Sequence, residues 1–175
     1  AGGTFGFPAV SPDGKTILFR SQRSGWINYM TIPLAGGEAR PIAPEDADQS
    51  EGLWSPDGSK IAFVSNHNGT HKLRMVAFDP AGSSQTARTL VDPGSGVVAR
   101  PDWSPDGKCL SYTLQTTTSA PDLYVVETAT GQSNQLTYSM IAGNFEKQLI
   151  VPEKISYKSD QFTIHAYLYK PANSA

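Results

Sequence analysis

Trp54-Ser55-Pro56-Asp57-Gly58-Ser59-Lys60-Ile61-Ala62-Phe63 sets a four-residue turn, Ser-Pro-Asp-Gly, between apolar residues. The same turn stands at residues 11–14 and 104–107, so a unit of 40 to 50 residues occurs three times. Proline fixes φ at the second turn position and glycine tolerates a positive φ at the fourth, so each copy predicts a hairpin turn. Positions around the turn repeat as well. Val10, Trp54 and Trp103 precede it; Ile17, Ile61 and Leu110 follow its glycine by three residues, and Phe19, Phe63 and Tyr112 by five. That alternation is the period of a strand. A third segment follows in each unit (28–32, 73–78 and 123–128), and a fourth ends at Ile42, Leu90 and Leu136.

Four short strands per unit, repeated at this interval, predict an all-β chain: a partial β-propeller of three four-stranded blades at about 7–43, 51–91 and 99–137, followed by a β-hairpin. An immunoglobulin-like sandwich also has regular short strands, but nothing in it repeats one turn and one following aromatic position three times. The segment 54–63 closely resembles the TolB-like propeller repeat, a likeness that covers about residues 7–137.

Sixteen Gly and thirteen Pro in 175 residues suit a turn-rich all-β protein. Fourteen basic against sixteen acidic residues leave a formal charge of −2 without a Lys/Arg cluster, which argues against nucleic acid as a partner. No apolar run of 18 residues and no charged-then-apolar leader occurs, so no membrane is expected as a partner. Cys109 is the lone cysteine, which excludes an intrachain disulfide. It aligns with Thr16 and Lys60 and reads as a half-buried strand residue. The compartment stays open between cytoplasm and periplasm or secretion.

Propellers close with about 4 to 8 blades. Three blades leave two apolar faces bare, each exposed large side chain forfeiting about 1.5 to 3 kcal/mol of burial. The expectation is therefore a fragment, or a chain that pairs with further blades. Entry directly into a blade at residues 7–10, without an initiator Met, points to blades upstream.

After Thr137 the repeat stops, and residues 138–151 read as a connector. Residues 153–159, then Asp160-Gln161, then 162–170 form two alternating segments about a short turn, the pattern of a hairpin. A propeller followed by Tyr157, Ser159, Asp160, Ile164, Tyr167, Leu168, Tyr169 and Pro171 at these spacings resembles the prolyl oligopeptidase family of serine peptidases. The resemblance implies that residues 152–175 open an α/β-hydrolase domain. One departure is Gln161, where the family usually has glycine; a left-handed conformation there would cost about 1 kcal/mol. The resemblance also implies a serine nucleophile on a Gly-x-Ser-x-Gly elbow, then an Asp and a His. No such elbow lies in these 175 residues, and His165 comes too early in the chain order to be the base. It reads as a partly exposed strand histidine. No catalytic, cofactor-binding or metal residue is assigned, and no cofactor is expected. What the resemblance implies for the propeller is access control: a cap that admits peptide substrates and excludes folded proteins. The loops at 21–25, 65–70 and 115–120, with the interblade connectors, belong on one rim and the Ser-Pro-Asp-Gly turns on the other. Either rim could face the hydrolase domain.

Other motifs have simpler readings. His67 and His71 share a face only in a helix, and here they flank an Asn68-Gly69 hairpin turn, so a metal pair is disfavoured. Asn68-Gly69-Thr70 is also an N-glycosylation sequon, but Asn-Gly is what a tight hairpin needs. Glu45, Asp46, Asp48 and Glu51 match no calcium loop and read as a solvated acidic connector. Gly36-Gly37 and Gly94-Ser95-Gly96 lack the strand and helix context of a phosphate loop and read as turns. Two functions remain: the propeller portion of a serine peptidase, and a non-catalytic TolB-like scaffold for protein partners. An enzyme with its site in the propeller channel has no recurring His, Asp or Glu set to support it.

Overall fold

The computed structural model describes residues 8–81, 85–139 and 149–171. Each Ser-Pro-Asp-Gly copy closes the way its chemistry dictates. The glycine N–H donates to the serine carbonyl at 2.8, 2.9 and 2.9 Å, with glycine φ at +73°, +71° and +68°. Serine Oγ donates to the aspartate at 2.6, 2.6 and 2.7 Å and accepts the N–H of Thr16, Lys60 or Cys109. The aspartate accepts a further N–H, from Lys15, Ser59 or Lys108. Pro12 lies over Gly58 and Pro56 over Gly107, where an added Cβ would meet proline Cδ at 3.4 and 3.8 Å. One motif thus shapes its own turn and stacks it on the next.

These turns join first to second strands in three antiparallel blades. The first holds β1 (Ala9–Val10), β2 (Thr16–Ser21), β3 (Asn28–Pro33) and β4 (Arg40–Pro41). The second holds β5 (Asp48–Trp54), β6 (Lys60–His67), β7 (Thr70–Ala77) and β8 (Arg88–Val91), and the third β9 (Gly96–Trp103), β10 (Cys109–Thr116), β11 (Ser119–Glu127) and β12 (Ser133–Gln135). A parallel pair, His71↔Val97, bridges the second and third blades where β7 runs past the short β8. Among the described residues, β13 (Glu153–Ser159) and β14 (Phe162–Leu168) pair only with each other. The expected partial propeller with a following hairpin is therefore present. Of the expected connector, residues 140–148 lie outside the described residues, as do Phe7 and residues 172–175.

Alternation along the strands sends one set of side chains to each neighbouring blade. Leu18, Tyr29, Ile61, Phe63 and Val76 close the joint between the first and second blades, where Trp54 Nε1 also donates to Ala9 O at 3.2 Å. Ala62, Leu73, Val98, Leu110, Tyr112 and Val126 close the joint between the second and third. Among the described residues nothing packs over the outer face of the third blade as its neighbours do over the others: Leu123, which corresponds to the fully buried Leu73, is 38% exposed.

In the hairpin turn the left-handed residue is Asp160, at φ +51°, and Gln161 has no positive φ. The positive φ expected at Gln161 falls instead on Asp160, a residue type that adopts left-handed backbone more readily than glutamine.

The repeated turns have a consequence in acid. Hydrogen bonds from Ser11, Ser55 and Ser104 hold the carboxyls of Asp13, Asp57 and Asp106 below their ordinary value of 3.8. A carboxyl depressed on folding stabilises the native state above its unfolded pKa and loses that contribution as pH falls through the folded one. The urea midpoint is expected to fall as pH drops below about 4, and to fall less steeply in the triple variant Ser11→Ala, Ser55→Ala, Ser104→Ala. Equal acid slopes in the two proteins would refute this.

Candidate functional site

The rim opposite the Ser-Pro-Asp-Gly turns carries the loops from second to third strands and the connectors between blades. Asn28, Lys72 and Asp122 are equivalent by register, each two residues before the partner of Phe19, Phe63 or Tyr112. Asn28 donates to the carbonyls of Glu45 and Ala47 and accepts the Glu45 N–H at 2.6 Å. Lys72 pairs with Asp92 at 2.7 Å. Asp122 accepts Thr137 Oγ1, Ser139 N and Ser139 Oγ at 2.7 to 2.8 Å. Burial opposes ionisation of Asp122, and these donors outweigh it. Three unlike side chains thus do one job: each ties the chain leaving its blade to the start of that blade's third strand.

The first strand of each blade lies at its inner edge. Glu51 in β5 and Arg100 in β9 each stand four residues before the turn serine, in a bulge, at φ +53°. The Glu51 carboxylate accepts the Arg100 N–H, linking the inner strands of two blades. Non-glycine residues held there cost about 1 to 2 kcal/mol each.

The acidic group of the first connector is not one solvated cluster. Asp46 is exposed, Asp48 accepts the Ile27 N–H at 2.8 Å, and Glu51 serves the inner strand. Glu45 is largely buried, 3.4 Å from Arg74 Nη2 and 3.2 Å from His67 Nε2, while Arg74 also donates to Ala87 O. Its partners come from β7 and from the end of β6, so its sequence neighbours gave no sign of them.

His67 Nε2 also lies 2.9 Å from Ser65 Oγ, which puts a serine, a histidine and a glutamate within reach of one another. Two facts exclude a nucleophile. Serine and glutamate both meet the same ring nitrogen, whereas a triad needs the acid on the other. Ser65 is also fully buried. His71 pairs with Asn66 and His67 with Thr70, so strand alternation sends the two histidines to opposite faces. Burial pushes His71 below its ordinary value, opposed by Glu51. His165 is exposed on β14, and Cys109 is half-buried in β10.

The hairpin meets this rim. Lys154 Nζ donates to Thr70 Oγ1 at 3.2 Å and stands 6.0 Å from the centre of the Tyr167 ring. Ser95 Oγ donates to the Tyr167 hydroxyl at 3.4 Å, and Thr70 Oγ1 donates to Gly94 O at 3.0 Å. The second blade's loop and the connector after it therefore form one seat for the hairpin on the loop rim. Tyr157, Phe162 and Ile164 remain exposed on the hairpin.

No family model matches the chain. It is 32% identical over 117 residues to an uncharacterized protein of Agrobacterium fabrum, a match covering 60% of this chain and 38% of that protein. It is 34% identical over 101 residues to the Tol-Pal system protein TolB of Francisella tularensis, covering 56% of this chain and 22% of TolB. The chain thus spans well under half the length of the curated relatives it matches. Among solved structures, a puromycin-hydrolyzing peptidase of Mycobacterium tuberculosis superposes with a TM-score of 0.68 at 19% identity, covering 94% of this chain and 26% of that one. A prolyl endopeptidase gives 0.64 at 17% over 87% and 22%. TolB of Acinetobacter baumannii gives 0.63 at 21% over 95% and 41%. These likenesses establish the propeller fold.

Proposed function

We propose that this chain is the propeller portion of a serine peptidase of the prolyl oligopeptidase kind, gating peptide access to an active site carried on other residues of the same protein. Residues 1–137 supply the blades, 138–151 the connector and 152–175 the opening hairpin of the hydrolase domain. The observation that carries the reading is the hairpin, which among the described residues β-pairs with no blade and is held on the loop rim by Lys154 and Tyr167. A unit that begins there stands over the loops, where a cap would meet an active site. The propeller contributes no nucleophile in this reading; it selects by size.

A TolB-like scaffold for protein partners is the second reading. What favours it is the 34% identity to TolB over 101 residues, higher than the identity to the peptidase structures above. The coding sequence beyond Ala175 separates the two. A Gly-x-Ser-x-Gly followed by an Asp and a His is expected, and the full-length protein should take a fluorophosphonate label on that serine and cleave peptides but not folded proteins. A reading frame that ends without the elbow overturns the peptidase and leaves the scaffold.

A further inference from the structure

The loop joining β6 to β7 is Asn68-Gly69, closed on the His67↔Thr70 pair, with φ of +54° and +83°. Two positive φ values make it a type I′ turn, the geometry for which Asn-Gly is favoured. The same dipeptide carries a reactive pair of groups. The glycine nitrogen, unshielded by any Cβ on its own residue, can attack Asn68 Cγ: the N–H proton leaves, the side-chain nitrogen departs as ammonia, and a five-membered succinimide forms. Water then opens the ring to aspartate or to isoaspartate, whose backbone passes through the side-chain carbonyl and gains one methylene. Water is the one co-reactant, and no oxidation state changes.

Asn68 and Gly69 are both exposed, so water reaches them. The attacking nitrogen, however, is occupied: Gly69 N–H donates to Asn66 Oδ1 at 2.9 Å. Its proton must leave and its lone pair must turn toward Cγ, and both require that hydrogen bond to break. We propose that Asn68 is a site of spontaneous deamidation in this protein and that Asn66 sets its rate by holding the Gly69 N–H. Asn66 is then a positioning residue that acts through the Gly69 nitrogen.

The location gives the reaction a consequence. A Cβ built on Gly69 would lie 3.9 Å from Tyr167 Cε2, and the next residue is Thr70, whose hydroxyl accepts Lys154. An extra methylene between residues 68 and 69 shifts both partners beneath the hairpin, so ageing of this loop loosens the hairpin's seat.

The test is peptide mapping by mass spectrometry, with separation of aspartyl and isoaspartyl products, on the folded protein incubated at neutral pH. In Asn66→Ala, which removes an exposed side chain and leaves the strand pairing intact, deamidation at Asn68 should run about three- to tenfold faster, the rate equivalent of one ordinary hydrogen bond. Asn66→Asp keeps an acceptor for Gly69 N–H and should return the rate toward the parent's, which a merely loosened loop would not do. Parent protein unfolded in urea should deamidate faster than the folded protein. Equal rates in the parent and Asn66→Ala, or an intact amide at Asn68 in every sample, overturn the proposal. The isoaspartyl form, once isolated, should exchange the amide hydrogens of residues 153–168 faster; unchanged exchange overturns the link to the hairpin.

Discussion

Gly52→Ala is expected to destabilise the protein by about 3 kcal/mol, near the upper end for overpacking a well-filled site, and to lower its melting temperature by about 6 to 12 °C. Gly52 has no positive φ, so its requirement is spatial. A Cβ there would stand 2.3 to 2.7 Å from three ring carbons of Tyr29. The ring has nowhere to go: Tyr29 is 7% exposed, its ring centre lies 6.3 Å from that of Phe63, and its hydroxyl accepts the Gly52 N–H at 2.6 Å. A methyl group therefore costs both the packing and the hydrogen bond. The next joint shows how else the problem is solved. The residue equivalent to Gly52 is Pro101, which has no N–H to satisfy, and the residue equivalent to Tyr29 is Leu73, which has no hydroxyl to offer. Removing the ring in Tyr29→Leu should relieve the clash, so Gly52→Ala should cost far less on that background than alone. Thermal denaturation of the two singles and the double closes the cycle. Additive losses would refute the contact.

The contrast between these joints marks what the sequence could disclose. The Ser-Pro-Asp-Gly turn is complete within six residues, so composition and order suffice to find it three times, and alternation alone places hairpin segments at 153–159 and 162–170, of which the second ends as a strand at Leu168. The clamps on the rim were hidden because Asn28, Lys72 and Asp122 look unrelated; only register shows that they occupy one position. Glu45 looked solvated because its sequence neighbours are acidic, while Arg74 and His67 are distant in the chain. The seat of the hairpin was equally closed to inspection, since Lys154 and Thr70 are 84 residues apart. Local chemistry announces the blade, and contacts between blades announce nothing until the strands are paired.

Gln49→Leu should cost about 2 to 4 kcal/mol, because two backbone groups lose their partners in a place that water does not reach. Gln49 is fully buried on β5, yet a side chain so placed is ordinarily apolar. Its Oε1 accepts the Tyr29 N–H at 2.8 Å and its Nε2 donates to Ala43 O at 2.7 Å. One amide therefore joins the third strand of the first blade, the connector and the inner strand of the second blade. Leucine matches it in size and gains transfer free energy, but it leaves a donor and an acceptor stranded, and each unsatisfied group costs about 1 to 3 kcal/mol. Gln49→Glu separates the two bonds. A carboxylate can still accept from Tyr29 N–H, but it offers Ala43 O no proton and brings a charge into a buried site, so it should be at least as damaging as leucine. The loss should also be local in origin. Hydrogen exchange at residues 28–33 should quicken in Gln49→Leu before that at residues 109–127 does, since the third blade packs on the opposite face of the second. Chemical denaturation within about 0.5 kcal/mol of the parent, or exchange that quickens uniformly, would show that this amide is not what fastens the first blade to the second.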